Sequence, residues 1–290
     1  MVVDHAKILN IIFDWIPNSS GFETKIKPIL ISKDSNGHFN EDALLNRFAY
    51  TIVDQQRDVE SIIIPLWNAL LYYGMNYDFL LNSENASQFI STIFQAYGHQ
   101  QYHIEEELKI QNKKMGSRTE ALMNCYIKRN PVEFFRLIKD NQKDLFRLYN
   151  ILKEYLFISD KSASFFLRDI EGFDFSLVPI DSNVARSVQR TGLYFHDFKK
   201  EDINIEEVFG RIIPIKERTI EDNFKALSGK IFEVCKIDNK SPYELNRYLF
   251  LLGADFCKFN RCKICKISKF CYYNNLNIEK KKKFLARLKS

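Results

Sequence analysis

Four cysteines crowd into fifteen residues near the C-terminus, as Cys257-x4-Cys262-x2-Cys265-x5-Cys271. Four thiolates in so short a loop can wrap one compact centre and little else. Zinc ribbons and fingers split their ligands into two distant pairs, each on its own knuckle. A single dense run suits the thiolate cage of an iron–sulfur cluster better. The spacing therefore ranks an iron–sulfur cluster first and zinc second. Disulfides rank third, because the N-terminus carries Asp4 and Asp14 and no cationic stretch before an apolar run. That pattern predicts no signal peptide and a reducing, intracellular setting. Cys125 and Cys235 fall within helical apolar periodicity and read as small core residues.

A lysine and an aspartate are the next residues that could do chemistry. The segment Leu156–Ile170, LFISDKSASFFLRDI, places Ala163, Phe166, Leu167 and Ile170 on one face of a helix, with Ser159 or Asp160 as N-cap. Lys161 and Ser162 then lie in the first turn, at the positive end of the helix dipole. That field, with partial desolvation, favours the neutral amine that a lysine nucleophile requires. For this helix alone, the plainer reading is an ordinary surface lysine. Twenty residues on, Asp181 opens a short helix that closes at Gly192, and in isolation it is an N-cap. His99 and His103 have the i, i+4 spacing of a metal pair, but no carboxylate motif accompanies them.

The elements that must position these residues are helical. Only 10 Gly and 7 Pro in 290 residues favour long helices over a sandwich of tight turns, and 46% hydrophobic residues suffice for a core. Residues 5–15 are amphipathic, and residues 24–39 read as extended with a turn at Asn36-Gly37. Helical periodicity marks 41–53, 58–73, 85–97, 117–128, 131–139, 142–156, 161–170, 182–191, 216–235, 241–252 and 278–288. The span 74–116 is the hardest to read. No stretch approaches the ~18 apolar residues of a membrane span.

Charge is lopsided along the chain. From Phe256 onward eleven Lys and Arg face the single acid Glu279, a balance of +10, so the first 255 residues carry −5 of the total +5. A basic end on a mildly acidic body suggests a polyanion-binding edge, against the plainer reading of a solvated tail at Lys280–Lys283.

Taken together, these segments resemble the endonuclease III-type, helix-hairpin-helix DNA glycosylases. Lys161-Ser162-Ala163 is similar to the Lys-Thr-Ala that follows the family's hairpin, and Ile180-Asp181 to its Val-Asp before a helix. Asp54-Gln55-Gln56-Arg57-Asp58-Val59 resembles its Gln-rich helix start, and the cysteine run, preceded by Leu249–Gly253, its C-terminal cluster loop with a shortened first gap. The resemblance spans about Leu44 to Cys271.

The resemblance implies an all-α, two-lobed glycosylase-like fold with a structural [4Fe–4S] cluster on Cys257, Cys262, Cys265 and Cys271. Residues 42–178 would form a helical bundle with the hairpin, and residues 179–290 the cluster lobe, with residues 1–41 packed on it. It implies Lys161 as nucleophile and Asp181 as charge stabiliser. The DNA contacts would come from Gln55, Ser159, Ser162, Lys258, Lys263 and Lys266. The partner would be double-stranded DNA carrying a damaged base or an abasic site, bound by a monomer. The activity implied is a glycosylase with abasic-site lyase chemistry. The alternatives are a non-catalytic iron–sulfur nucleic-acid-binding protein of the same fold, and a glycosylase for a modified nucleoside outside repair. One departure stands out: the two glycines expected before the lysine are Phe157 and Ser159 here. A side chain with a Cβ fits poorly where positive φ is needed, so a reshaped hairpin is expected.

Overall fold

The computed structural model describes residues 4–53, 108–110, 113–115, 130–141, 143–155, 158–170, 177–193 and 220–287, with single positions at 60, 64, 65, 68 and 125. The chain divides into two units, Met1–Ile26 with Ser176–Ser290, and Lys27–Phe175. Among the described residues the structure is largely α-helical, and no helix is long and apolar enough to cross a membrane.

In the unit Lys27–Phe175 the organising helix is α2, Glu41–Val53, after α1 (His5–Trp15) of the other unit. Asn40 Oδ1 accepts from the Ala43 amide at 2.8 Å, and Glu41 and Asp42 complement the positive end of the dipole. Its buried residues Leu44, Leu45, Phe48 and Ile52 recur at helical spacing. Phe48 is the hub. Its ring centroid lies 5.0 Å from each of Phe134, Tyr155 and Phe166. Phe134 comes from α3 (Pro131–Asn141) and Phe166 from α5 (Asp160–Arg168), with α4 (Leu145–Lys153) between them in sequence.

A buried ion pair locks the far end of α5. Arg47 Nη2 meets Asp169 Oδ2 at 2.7 Å, and both side chains are fully buried. Arg47 Nε donates to the Ile29 carbonyl at 3.2 Å, and the Ile31 amide donates to the Asp169 carbonyl at 2.9 Å. These bonds tie residues 27–31 to α2 and α5. That explains why the division falls at Ile26 rather than at the expected residue 41.

One local expectation is corrected. Residues 22–29 are not extended: Phe22–Ile26 makes a π-helical turn and Lys27–Ile29 a 3-10 turn. Ser19 starts them, its Oγ accepting from the Phe22 amide at 3.3 Å. The turn at Asn36-Gly37 is present, with Gly37 at φ +77°. A small antiparallel pair, β1 (Leu108–Ile110) with β2 (Lys113–Met115), lies within the hard-to-read span 74–116. Among the described residues the other elements are helical, in keeping with the all-α expectation.

In the other unit, α6 (Ser182–Thr191), α7 (Ile220–Ile237) and α8 (Pro242–Leu251) carry the core, with α9 (Ile278–Arg287) near the C-terminus. The amphipathic α1 packs here: Phe13 meets Tyr248 edge-on at 5.1 Å, and Trp15 meets Phe256 at 4.7 Å. Lys25 pairs with Asp255 at 2.6 Å.

Candidate metal centre and active-site residues

The segment entering Asp181 is held from two sides. The Val178 amide donates to Ser228 Oγ of α7 at 2.9 Å, and Asn246 Nδ2 of α8 donates to the Pro179 carbonyl at 2.7 Å. Ser228 and Asn246 are both fully buried. Asp181 then caps α6, its Oδ1 accepting from the Asn183 and Val184 amides at 2.9 and 2.8 Å. Its Oδ2 has only a 3.5 Å contact from Asn183 Nδ2 among the described residues. One carboxylate oxygen therefore builds the helix, and the other is left for other use. Asn183 Oδ1 in turn accepts from Arg186 Nη1 at 2.8 Å. Gly192 closes the helix in the left-handed conformation at φ +87°.

The same helix carries the cysteine loop at its other end. After α8 the chain makes a π-helical turn, Leu252–Cys257, pressed against the start of α6. A Cβ on Gly253 would lie 2.1 Å from the Asn183 carbonyl oxygen, so only glycine permits this approach. Gly253→Ala must push two backbones apart. It should lower the unfolding free energy by about 3 kcal/mol, the upper end for an overpacked core. A denaturant midpoint shifted at constant slope would read this, and an unshifted midpoint would mean the contact is slack.

Arg190, near the end of α6, faces the loop. It is buried, and its Nη1 donates to the Cys257 carbonyl and, at 2.8 Å, to Asn260 Oδ1. Asn260 turns the loop between the first two cysteines at φ +53°, a conformation asparagine tolerates. The Cys271 thiol donates to the Arg190 carbonyl at 3.0 Å, and the Tyr272 amide to that of Thr191 at 3.3 Å. The loop is thus sewn to α6 at both ends.

All four cysteines line one cavity, of about 320 Å³ counting its solvent-open mouth, together with Arg190 and Tyr273. None of the four is in a disulfide. Burial pushes the Cys257 and Cys265 thiols up to about 12, and raises that of Cys271. Buried thiolates are costly without a neighbouring positive charge. A metal centre supplies that charge and displaces the protons on binding. All four thiols line that cavity, so the donor set fits a centre held by four cysteine ligands, a set that serves iron–sulfur clusters and structural zinc alike.

In the unit Lys27–Phe175, Ser159 is the N-cap of α5, its Oγ accepting from the Ser162 amide at 3.4 Å. Ser159 sits at φ −94°, extended backbone that any residue adopts, so no glycine is required there. This removes half of the expected reshaping. Phe157 lies outside the described residues. Lys161 is exposed in the first turn, and its ammonium has no hydrogen bond or ion pair among the described residues. Asp160 beside it joins α4 to α5, accepting from the Tyr149 hydroxyl and from Lys153 Nζ at 2.5 Å.

Lys258, Lys263 and Lys266 are exposed on the cysteine loop, as are Arg261 and Lys269. Phe259 is exposed among them, with Lys258 and Arg261 over its ring at 5.4 and 5.0 Å. Gln55, His99 and His103 lie outside the described residues. Sequence reasoning missed Arg190, Asn246 and Ser228. Nothing in a helix's own periodicity marks a buried arginine that serves a loop sixty-seven residues away.

The chain is thus a largely α-helical protein with a four-cysteine cavity built on an aspartate-capped helix. No family model, no curated protein and no solved structure matches it.

Proposed function

We propose that this protein is a [4Fe–4S] DNA glycosylase with abasic-site lyase activity, related to the endonuclease III-type helix-hairpin-helix enzymes. The observation that carries the reading is the joint use of α6. Asp181 caps its start, and the four-cysteine cavity is sewn along its other end. One rigid helix then couples a structural cluster to an acidic group at a site, which gives the four gathered cysteines a role. The exposed cations of the loop add a surface suited to backbone phosphates.

In the reaction, the enzyme swings a damaged nucleotide out of the duplex, at a cost of a few kcal/mol that is smallest for lesions. The Lys161 amine attacks C1′ of the deoxyribose, the C1′–N bond breaks, and the base leaves with a proton. The nitrogen lone pair then expels O4′, which takes up a proton, so the sugar ring opens and leaves a protonated imine on Lys161. Asp181 stabilises the positive charge developing on the sugar and shuttles protons through its Oδ2. Loss of the proton at C2′ then expels the 3′ phosphate and breaks the strand. The cluster, held by Cys257, Cys262, Cys265 and Cys271, takes no part in these bonds; it fixes the fold of the loop.

The direct test is borohydride trapping on a panel of lesion-containing duplexes and an abasic duplex. A covalent protein–DNA adduct is expected on at least one. Trapping on none, abasic included, favours a non-catalytic iron–sulfur nucleic-acid-binding protein of the same fold. Independently, the purified protein should be brown, with about four irons and four sulfides per chain, and Cys262→Ser or Cys265→Ser should lose them. A colourless protein with one zinc per chain would overturn the cluster.

A further inference from the structure

Arg190 has one donor that the fold does not use. Its Nη1 is spent on the Cys257 carbonyl and Asn260, and its guanidinium stacks 4.5 Å from the centre of the Tyr273 ring. Its Nε–H is buried without a partner. Such an orphan is costly unless something else accepts its hydrogen. The side chain is 4% exposed and lines the cysteine cavity. Its charge also acts on the cysteines, since the guanidinium offsets part of the effect of burial on the Cys257 and Cys271 thiols.

We propose that Arg190 is the charge partner of the thiolate cage: a buried cation, with a spare donor at the cavity wall, that stabilises the more negative state of the cluster held there and so raises its reduction potential. The inference rests on the [4Fe–4S] reading of the cavity, and not on the glycosylase chemistry.

The physics is simple. Four thiolates around iron and sulfide are anionic in either state, and one electron from an external low-potential reductant adds a further unit of negative charge. A fixed cation in a buried setting favours the added charge, and hydrogen bonds toward cluster sulfurs act in the same direction. The five lysines and arginines at the loop surface stand in water, where screening blunts their effect. Arg190 is the buried cation among the described residues lining the cavity. Groups just outside the ligands commonly tune a centre in this way.

The test uses the full chain, loaded with its cluster, and compares wild type with Arg190→Gln and Arg190→Lys. Iron and sulfide content is measured first, then the midpoint potential by dithionite titration. In Arg190→Gln the ratio of reduced to oxidised cluster at the wild-type midpoint should fall about tenfold, equal to ~59 mV for one electron. Arg190→Lys keeps the charge and should fall no more than about twofold. A Gln variant that holds no iron beside a Lys variant that does would also support the role of charge. An unchanged potential in Arg190→Gln overturns the proposal. So does equal loss of iron from both variants, which assigns Arg190 only its bonds to Cys257 and Asn260. Wild-type protein without iron sinks the cluster reading and this inference together. Wild type that carries the cluster but fails to trap DNA sinks the glycosylase reading alone.

Discussion

Lys161→Gln is expected to abolish borohydride trapping and strand cleavage while duplex binding survives. Glutamine keeps most of the side chain's length but has no amine able to form an imine. The position suits a clean experiment. Lys161 is exposed, and the capping of α5 runs through Ser159 and the Ser162 amide, which the substitution leaves alone. Surface changes away from such features usually stay within ~0.5 kcal/mol, so lost activity would not be lost fold. Lys153 supplies the internal control. It is a second amine at the junction of α4 and α5, but it is engaged with Asp160 at 2.5 Å. An adduct that persists in Lys161→Gln and vanishes in Lys153→Gln would move the nucleophile to Lys153. An adduct that survives both changes would place the chemistry on another amine.

Much of the local structure was legible because caps and periods are local. Ser159, Asp181 and Gly192 bound their helices where the sequence places them, since each satisfies backbone groups within three residues. The gathering of the four cysteines at one cavity was legible for a similar reason: they sit close together in sequence. What stayed hidden depends on partners far along the chain. Arg47 and Asp169 carry no local mark of their partnership, yet they form a buried pair across 122 residues, and Lys27–Phe175 forms one unit. Gly253 was noted only as preceding the cysteine run, and its need arises from the Asn183 backbone, seventy residues earlier. Arg190 sits where an exposed helix end would carry a cation to complement the dipole. It is buried instead, because a loop folds over it. The expected cost of replacing glycine before α5 was overstated at Ser159, because that worry assumed a positive φ the backbone does not adopt.

Asp181 separates capping from catalysis, because its two oxygens do different work. Oδ1 accepts from the Asn183 and Val184 amides, a role asparagine fills about as well. Oδ2 and the charge are what the proposed reaction uses. Asp181→Asn should therefore fold as the wild type does and keep its full iron content, yet release base ~10²–10³ times more slowly. That is the loss expected from removing about 3–4 kcal/mol of electrostatic stabilisation of the developing sugar cation. Asp181→Ala removes charge and cap together. It should match the asparagine variant in rate and, in addition, lose about 1 kcal/mol of stability. Because α6 also carries the cysteine cavity, only the alanine variant should show a knock-on loss of iron when mildly destabilised. Single-turnover base release on the duplex that traps best, measured beside iron content and a denaturant midpoint, reads all three. An asparagine variant as fast as wild type, with only alanine impaired, would reduce Asp181 to a helix cap and remove the acidic half of the proposed chemistry.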